Sequence, residues 1–258
     1  MAAKKNRAPE LDFLRGFALL LMFLQHVSYD LKYEFGMPGF NYLESNWFWA
    51  FVHPSWLVIF VGVSGICCTF SRNNLKRGLK LLAVALGLTL GTYLITRLTG
   101  VYCLIIFNVL ALLSLSILLY TFVQFIEKKA GIRPEVVNVL LGAFGVYFTV
   151  LGGTIGYMDY STENLLFLPV GFAIKNSPNV ADYMNLFPWL GVFLTGCVIG
   201  RVCYADKKTL LPEGIRKLHK IAAPVEFIGR HSLIIYLVHQ PVVYAILYLF
   251  FLVLGKIK

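Results

Sequence analysis

Apolar residues along the chain gather into runs of about 20, broken by short stretches where lysine, arginine, proline and glycine concentrate. A run of that length can cross the hydrocarbon of a bilayer as a helix. Seven such runs are read, at approximately 11–31, 54–71, 79–97, 101–126, 135–153, 186–204 and 232–254. The second opens on His53-Pro54-Ser55-Trp56, with proline in the first turn, where its missing N–H costs little. Thr99-Gly100 and the neighbourhood of Gly131 predict tight turns between the third, fourth and fifth runs. The predicted fold is an all-α polytopic transmembrane bundle of about seven spans, forming one domain over 1–258.

Composition supports the membrane class: 58% of the 258 residues are hydrophobic and only 14% charged, against about 25% charged in soluble domains. A net charge of +10 invites a nucleic-acid partner, but the basic residues sit in short clusters between apolar runs, which excludes that reading. With the N-terminus cytoplasmic, 18 of the 23 lysines and arginines fall on the inner side. Only Lys32, Arg97, Lys175, Lys256 and Lys258 are then left outside, so the bias sets this orientation, and an odd number of spans puts the C-terminus outside. A cell membrane, multi-pass location follows. The basic start before the first run resembles a signal peptide superficially. That run has acidic residues and no small-residue cleavage site, so it is read as a retained helix.

The first run is the most polar of the seven. It carries Asp12, Arg15, His26 and Asp30, and ionisable groups at membrane depth mark function or a buried partner network. Arg15 and His26 are eleven residues apart, about three turns and a rise of roughly 16 Å, so they share one face. His26 and Asp30, four apart, can meet side by side. That pair has the form of a base with an orienting carboxylate, as in activated acyl transfer. His26 could take a proton from a hydroxyl or amine, or attack an acyl donor itself. Arg15, with Asp12 three residues earlier, suits a cofactor phosphate as well as an interfacial anchor.

In the last run, Ser232, Tyr236 and His239 lie near one face just before Gln240 and Pro241. They can form either a satisfied proline kink or a second wall for donor binding or catalysis. His53 and Asp182 are assigned to the acceptor side. The segment 32–53 is rich in aromatics and could cap the helices from outside. The segment 154–185 is too long for a plain connection, which predicts a binding loop or lid. Five scattered cysteines at no metal-ligand spacing read as small core residues, and no metal site is expected. Gly87-xxx-Gly91 and Gly196-xxx-Gly200 predict helix-packing grooves, which also permit a homodimer. Gly62-Val-Ser64-Gly65 with a later histidine would suit an intramembrane serine protease. Gln-Pro after His239, where that arrangement needs small residues, sets it aside.

Leu11-Asp-Phe-Leu-Arg-Gly-Phe-Ala18, followed by Met22, His26 and Asp30, resembles the opening of the heparan-alpha-glucosaminide N-acetyltransferase catalytic-domain family and its bacterial relatives. Arg15 and His26 also match the R-x10-H signature of the acyltransferase-3 membrane family. Residues 181–201 resemble the former family's passage from loop to helix, and residues 229–241 its closing span. The resemblance implies an integral-membrane acyltransferase moving an acetyl or other acyl group from acyl-CoA. The acceptor would be a glycan, amino sugar or lipid headgroup reached from the far side. It implies His26 as catalytic residue and Arg15 on the donor side. Bacterial relatives often carry a further histidine where this chain has Ala111, a departure that bears on acceptor or mechanism. The rival reading is a proton-coupled transporter or flippase with His26 and Asp30 as a proton relay.

Overall fold

The computed structural model describes residues 8–175, 180–212 and 219–255. Six helices are long and apolar enough to cross a membrane, and Trp189–Val202 is a shorter apolar helix in the place of the expected sixth span. An all-α polytopic architecture is therefore observed. The chain divides into two compact units, residues 1–63 with 206–258, and residues 64–205.

In the first unit, α1 (Pro9–Tyr29) starts on proline and carries Glu10 and Asp12 in its first turn, where carboxylates complement the helix dipole. It continues as a π-helical turn over Asp30–Glu34, a local widening often met at functional sites. The aromatic segment that follows packs on this helix. Leu43 and Phe48 join Ala18 and Trp56 in a buried cluster. Lys32 pairs with Glu44 at 2.8 Å, and the Trp49 indole N–H donates to the Leu43 carbonyl at 2.6 Å. α2 (His53–Phe70) begins in this unit and ends in the other.

The basic stretch between the sixth and seventh runs contains a helix, which we number α7 (His219–Arg230). It crosses α1 at backbone contact. A Cβ on Gly16 would lie 1.9 Å from the Val225 carbonyl oxygen, and one on Gly229 would lie 1.8 Å from that of Asp12. The closeness explains why glycine stands at both positions, since any side chain would force the helices apart. Glu10 also accepts from the Thr209 hydroxyl at 2.7 Å and the Leu210 N–H at 2.9 Å, tying the approach to α7 onto the start of α1. α8 (Ser232–Val253) completes the unit, with Pro241 inside it.

The second unit holds α3 (Asn74–Thr99), α4 (Val109–Ala130), α5 (Pro134–Tyr157) and α6 (Trp189–Val202). Gly100 and Gly131, where tight turns are predicted, end α3 and α4 as left-handed C-caps with φ of 73° and 63°. The fourth span starts later than expected, because Asn108 caps it by accepting from the N–H groups of Leu110 and Ala111. At the other end of α6, the Arg201 guanidinium forms a paired contact with Glu127 at 2.9 and 2.5 Å and reaches Asn138. The loop before α6 holds a short parallel pair, β1 (Ser161–Thr162) with β2 (Ala173–Ile174). The Tyr183 hydroxyl donates to the Leu168 carbonyl at 2.6 Å.

Two packing expectations change. Nothing lies within 4 Å of a Cβ built on Gly87 or Gly91, so that pair is no groove within the described residues. Gly65, from the Gly-x-Ser-Gly stretch, is a crossing point instead, its Cβ position 2.2 Å from the Phe193 carbonyl oxygen, and Gly200 meets Thr69 and Ile66. Cys68 and Cys197 are buried as expected, whereas Cys203 is exposed just past α6. Substituting Gly229 by alanine should destabilise the protein by about 1–3 kcal/mol through overpacking, while Gly87→Ala should leave it unchanged or slightly firmer. Thermal unfolding of the detergent-solubilised variants checks the contrast.

Candidate active site

The polar residues predicted on α1 and on the last span meet within the first unit. The His26 and His239 rings lie edge to face with centroids 5.0 Å apart. His26 Nδ1–H donates to the Met22 carbonyl at 2.9 Å, one turn back along α1. His239 Nδ1–H donates to the Tyr236 carbonyl at 2.6 Å. A ring nitrogen that faces a carbonyl must carry the proton, so in both neutral imidazoles the basic lone pair is on Nε2. His239 is 8% exposed, and its Nε2 is buried without a hydrogen-bond partner among the described residues.

Asp30 does not orient His26 by a hydrogen bond, contrary to expectation. Its two carboxylate oxygens accept from the Gln240 amide nitrogen, each at 3.0 Å, and the Met22 carbonyl holds His26 instead. The reason is local. Four residues apart, the two side chains are neighbours on α1, but the π turn begins at Asp30 and Gln240 supplies a donor. A carboxylate only 2% exposed needs one. Asp30 remains within electrostatic reach of His26.

His53 is also within electrostatic reach of His26. It sits among aromatic rings, with Trp49 at 4.7 Å and Trp56 at 5.3 Å between centroids. Tyr236 is buried against His239 at 5.6 Å, and Ser232 is half-buried at the start of α8. At the other end of α1, Arg15 is half-buried. Asp12 pairs with Arg230 at 3.4 Å, and Arg230 also binds the buried Glu226 at 2.8 Å. Asp182 belongs to the second unit, exposed in the loop before α6 with a left-handed φ of 50°. Beside it, burial pushes the Tyr183 phenol above its ordinary pKa. Ala111 is buried near the start of α4 and is occupied as a capped N–H.

Sequence reasoning missed Gln240, Glu226 and the ion-pairing role of Arg230. The available signal was the placement of Gln240 beside His239 and one residue before a helix-breaking proline. Among the described residues no group of three or more histidine, cysteine or acidic side chains could hold a metal ion. Arg216 and Lys217, counted among the inner-side basic residues, lie outside the described residues.

The catalytic-domain model of heparan-alpha-glucosaminide N-acetyltransferase matches residues 7–241, a stretch that includes every residue of the histidine site. The chain belongs to that family. Comparison with curated proteins and with solved structures returns no significant match. Family membership implies a membrane acetyltransferase, for which acetyl-CoA is in general the donor.

The Asp30–Gln240 contact makes a prediction about stability. Asp30→Asn keeps an oxygen facing the amide and should cost less than about 1 kcal/mol, whereas Asp30→Ala strands the buried amide and should cost about 1–3 kcal/mol. Chemical or thermal unfolding of the two variants in one detergent should rank them in that order.

Proposed function

We propose that this family member transfers an acyl group, acetyl in the first instance, from cytoplasmic acyl-CoA to an amino-sugar or glycan-type acceptor at the outer side of the cell membrane. The observation that carries the reading is the pair of imidazoles held by backbone carbonyls at Nδ1, which leaves a basic Nε2 on each. A general base needs that lone pair within reach of the proton it removes.

When bound, acyl-CoA supplies an activated thioester carbonyl and a thiol leaving group. His26 Nε2 takes the proton from the acceptor N–H or O–H as that atom bonds to the acyl carbon and the carbon–sulfur bond breaks. The proton is then returned to the leaving sulfur, so the imidazole ends as it began. Asp30 lies within electrostatic reach of His26, while Gln240 takes its hydrogen bonds. Arg15, three turns from His26 on a continuous α1, is assigned to the donor phosphates, with Asp12 helping to set the local charge. Ser232 and Tyr236 are assigned to the donor side of α8, and His239, whose ring lies against that of His26, to the acceptor side. His53 faces the acceptor, and Asp182 is assigned to acceptor binding on its exposed loop position. The whole of 1–258 is taken as one functional domain because the family match runs through both units. The N-terminus is placed in the cytoplasm on the lysine and arginine bias.

Purified protein supplied with radiolabelled acetyl-CoA and glucosamine should yield labelled N-acetylglucosamine. His26→Asn keeps a donor for the Met22 carbonyl and removes Nε2, so it should fold normally and lose at least 100-fold in rate, in line with the usual weight of general-base catalysis. Near-normal turnover in that variant would remove His26 from the mechanism. No product and no coenzyme A binding by the wild type would instead favour a proton-coupled transporter.

A further inference from the structure

Among the described residues, Gln240 carries a buried polar atom to which the acyltransferase reading gives no task. Gln240 joins α8 to α1 through its amide nitrogen, which donates to both oxygens of Asp30 at 3.0 Å. Only the NH2 end of a glutamine can face an ionised carboxylate, because the other end would set oxygen against oxygen. Asp30 therefore fixes which way the amide points. Its carbonyl oxygen is turned away from the carboxylate, is sealed from solvent and has no hydrogen-bond partner among the described residues.

A second acceptor in the same condition stands on the preceding residue. His239 Nε2 is buried and unpartnered among the described residues, and its ring lies against His26, which is one turn before Asp30 on α1. Leaving a buried acceptor unsatisfied costs about 1–3 kcal/mol, and native structures rarely carry such atoms without a purpose. Here two of them stand on consecutive residues of α8, whose side chains meet His26 and Asp30. Both accept and neither donates, so the missing partner is a group that presents hydrogens. Water can fill such a place. An amine about to be acylated fills it as well, and brings its reacting nitrogen to the imidazole that is to take its proton.

We propose that Gln240 selects the acyl acceptor: its carbonyl oxygen, oriented by Asp30, accepts a hydrogen bond from the amine N–H that is to be acylated, alongside His239 Nε2. The inference rests on the acyltransferase reading and assigns a substrate-recognising residue to its site. A buried acceptor discriminates strongly against a ligand that lacks the matching N–H, since that ligand leaves the acceptor unpaired.

The test compares glucosamine with 2-deoxyglucose, which lacks the amine, by calorimetry on the full chain with coenzyme A present. Steady-state transfer to glucosamine is run on the same preparations. The wild type should bind glucosamine at least 10-fold more tightly. Gln240→Met should bring that ratio below threefold and raise KM for glucosamine at least 10-fold, with KM for acetyl-CoA unchanged within twofold. The swap Asp30→Asn with Gln240→Glu keeps a donor facing a carboxylate across the helices and should restore the preference. If Gln240→Met fails to fold, Asp30→Met with Gln240→Met removes both partners together, which a protein tolerates better, and its binding ratio decides. An unchanged ratio in the folded variant, an equal rise in both KM values, or equal binding of the two sugars by the wild type overturns the proposal. Failure of the acyltransferase reading looks different, because the wild type would then form no labelled product.

Discussion

The structure of the first unit depends on satisfying one carboxylate in a place where water does not reach. Asp30 ends a helix long and apolar enough to span a bilayer and is 2% exposed. An ionised group there is unaffordable alone. A neutral amide from α8 meets both of its oxygens at 3.0 Å, supplying the hydrogen bonds that hydration would have given. An arginine in the same position would have cancelled the charge. With glutamine as the partner of Asp30, the His26 imidazole has the Met22 carbonyl as its anchor.

The other end of α1 follows a different solution to the same constraint. There Asp12, Arg230 and the buried Glu226 share charge directly, and the glycines at 16 and 229 let α1 and α7 approach until backbone meets backbone. Close approach makes the cluster compact, and removing one member would leave a partner exposed to low dielectric. The helix is therefore pinned at its first turn by ion pairs and at its last by an amide clamp. What lies between, from Arg15 to His26, is held as a single rigid track of about three turns.

Much of this was legible in the sequence because membrane helices announce themselves by length and apolarity. The spans, the turns at Gly100 and Gly131, and the placement of His26 and His239 on the first and last spans all follow from local signals. α7 did not, since twelve residues of mixed polarity with an internal Pro224 give no spanning signal, and its partner face exists only once α1 is in place. The partner of Asp30 was misread for a related reason. Spacing of four says that two side chains can meet, but not whether a residue 210 positions away offers the better donor. Gly87 and Gly91 were misread in the opposite sense: the spacing permits a close helix contact, while their surroundings provide none within 4 Å.

Pro241 connects these features. With no N–H, it leaves the carbonyl of Leu237 outside the ordinary helical ladder, and a helix relieved of one bond can deform just where His239 and Gln240 project. In this turn His239 Nδ1–H lies on the Tyr236 carbonyl at 2.6 Å, the oxygen that the N–H of Gln240 would claim in a regular helix. A side chain that takes up a backbone carbonyl in this way has its ring direction and its tautomer set together. The same holds for His26 and the Met22 carbonyl. Both imidazoles are thereby oriented by their own helices, so the basic nitrogens do not depend on a distant carboxylate for their alignment. Gln240 in turn holds Asp30. A histidine and a carboxylate four residues apart are thus each held by a different partner, with no hydrogen bond between them.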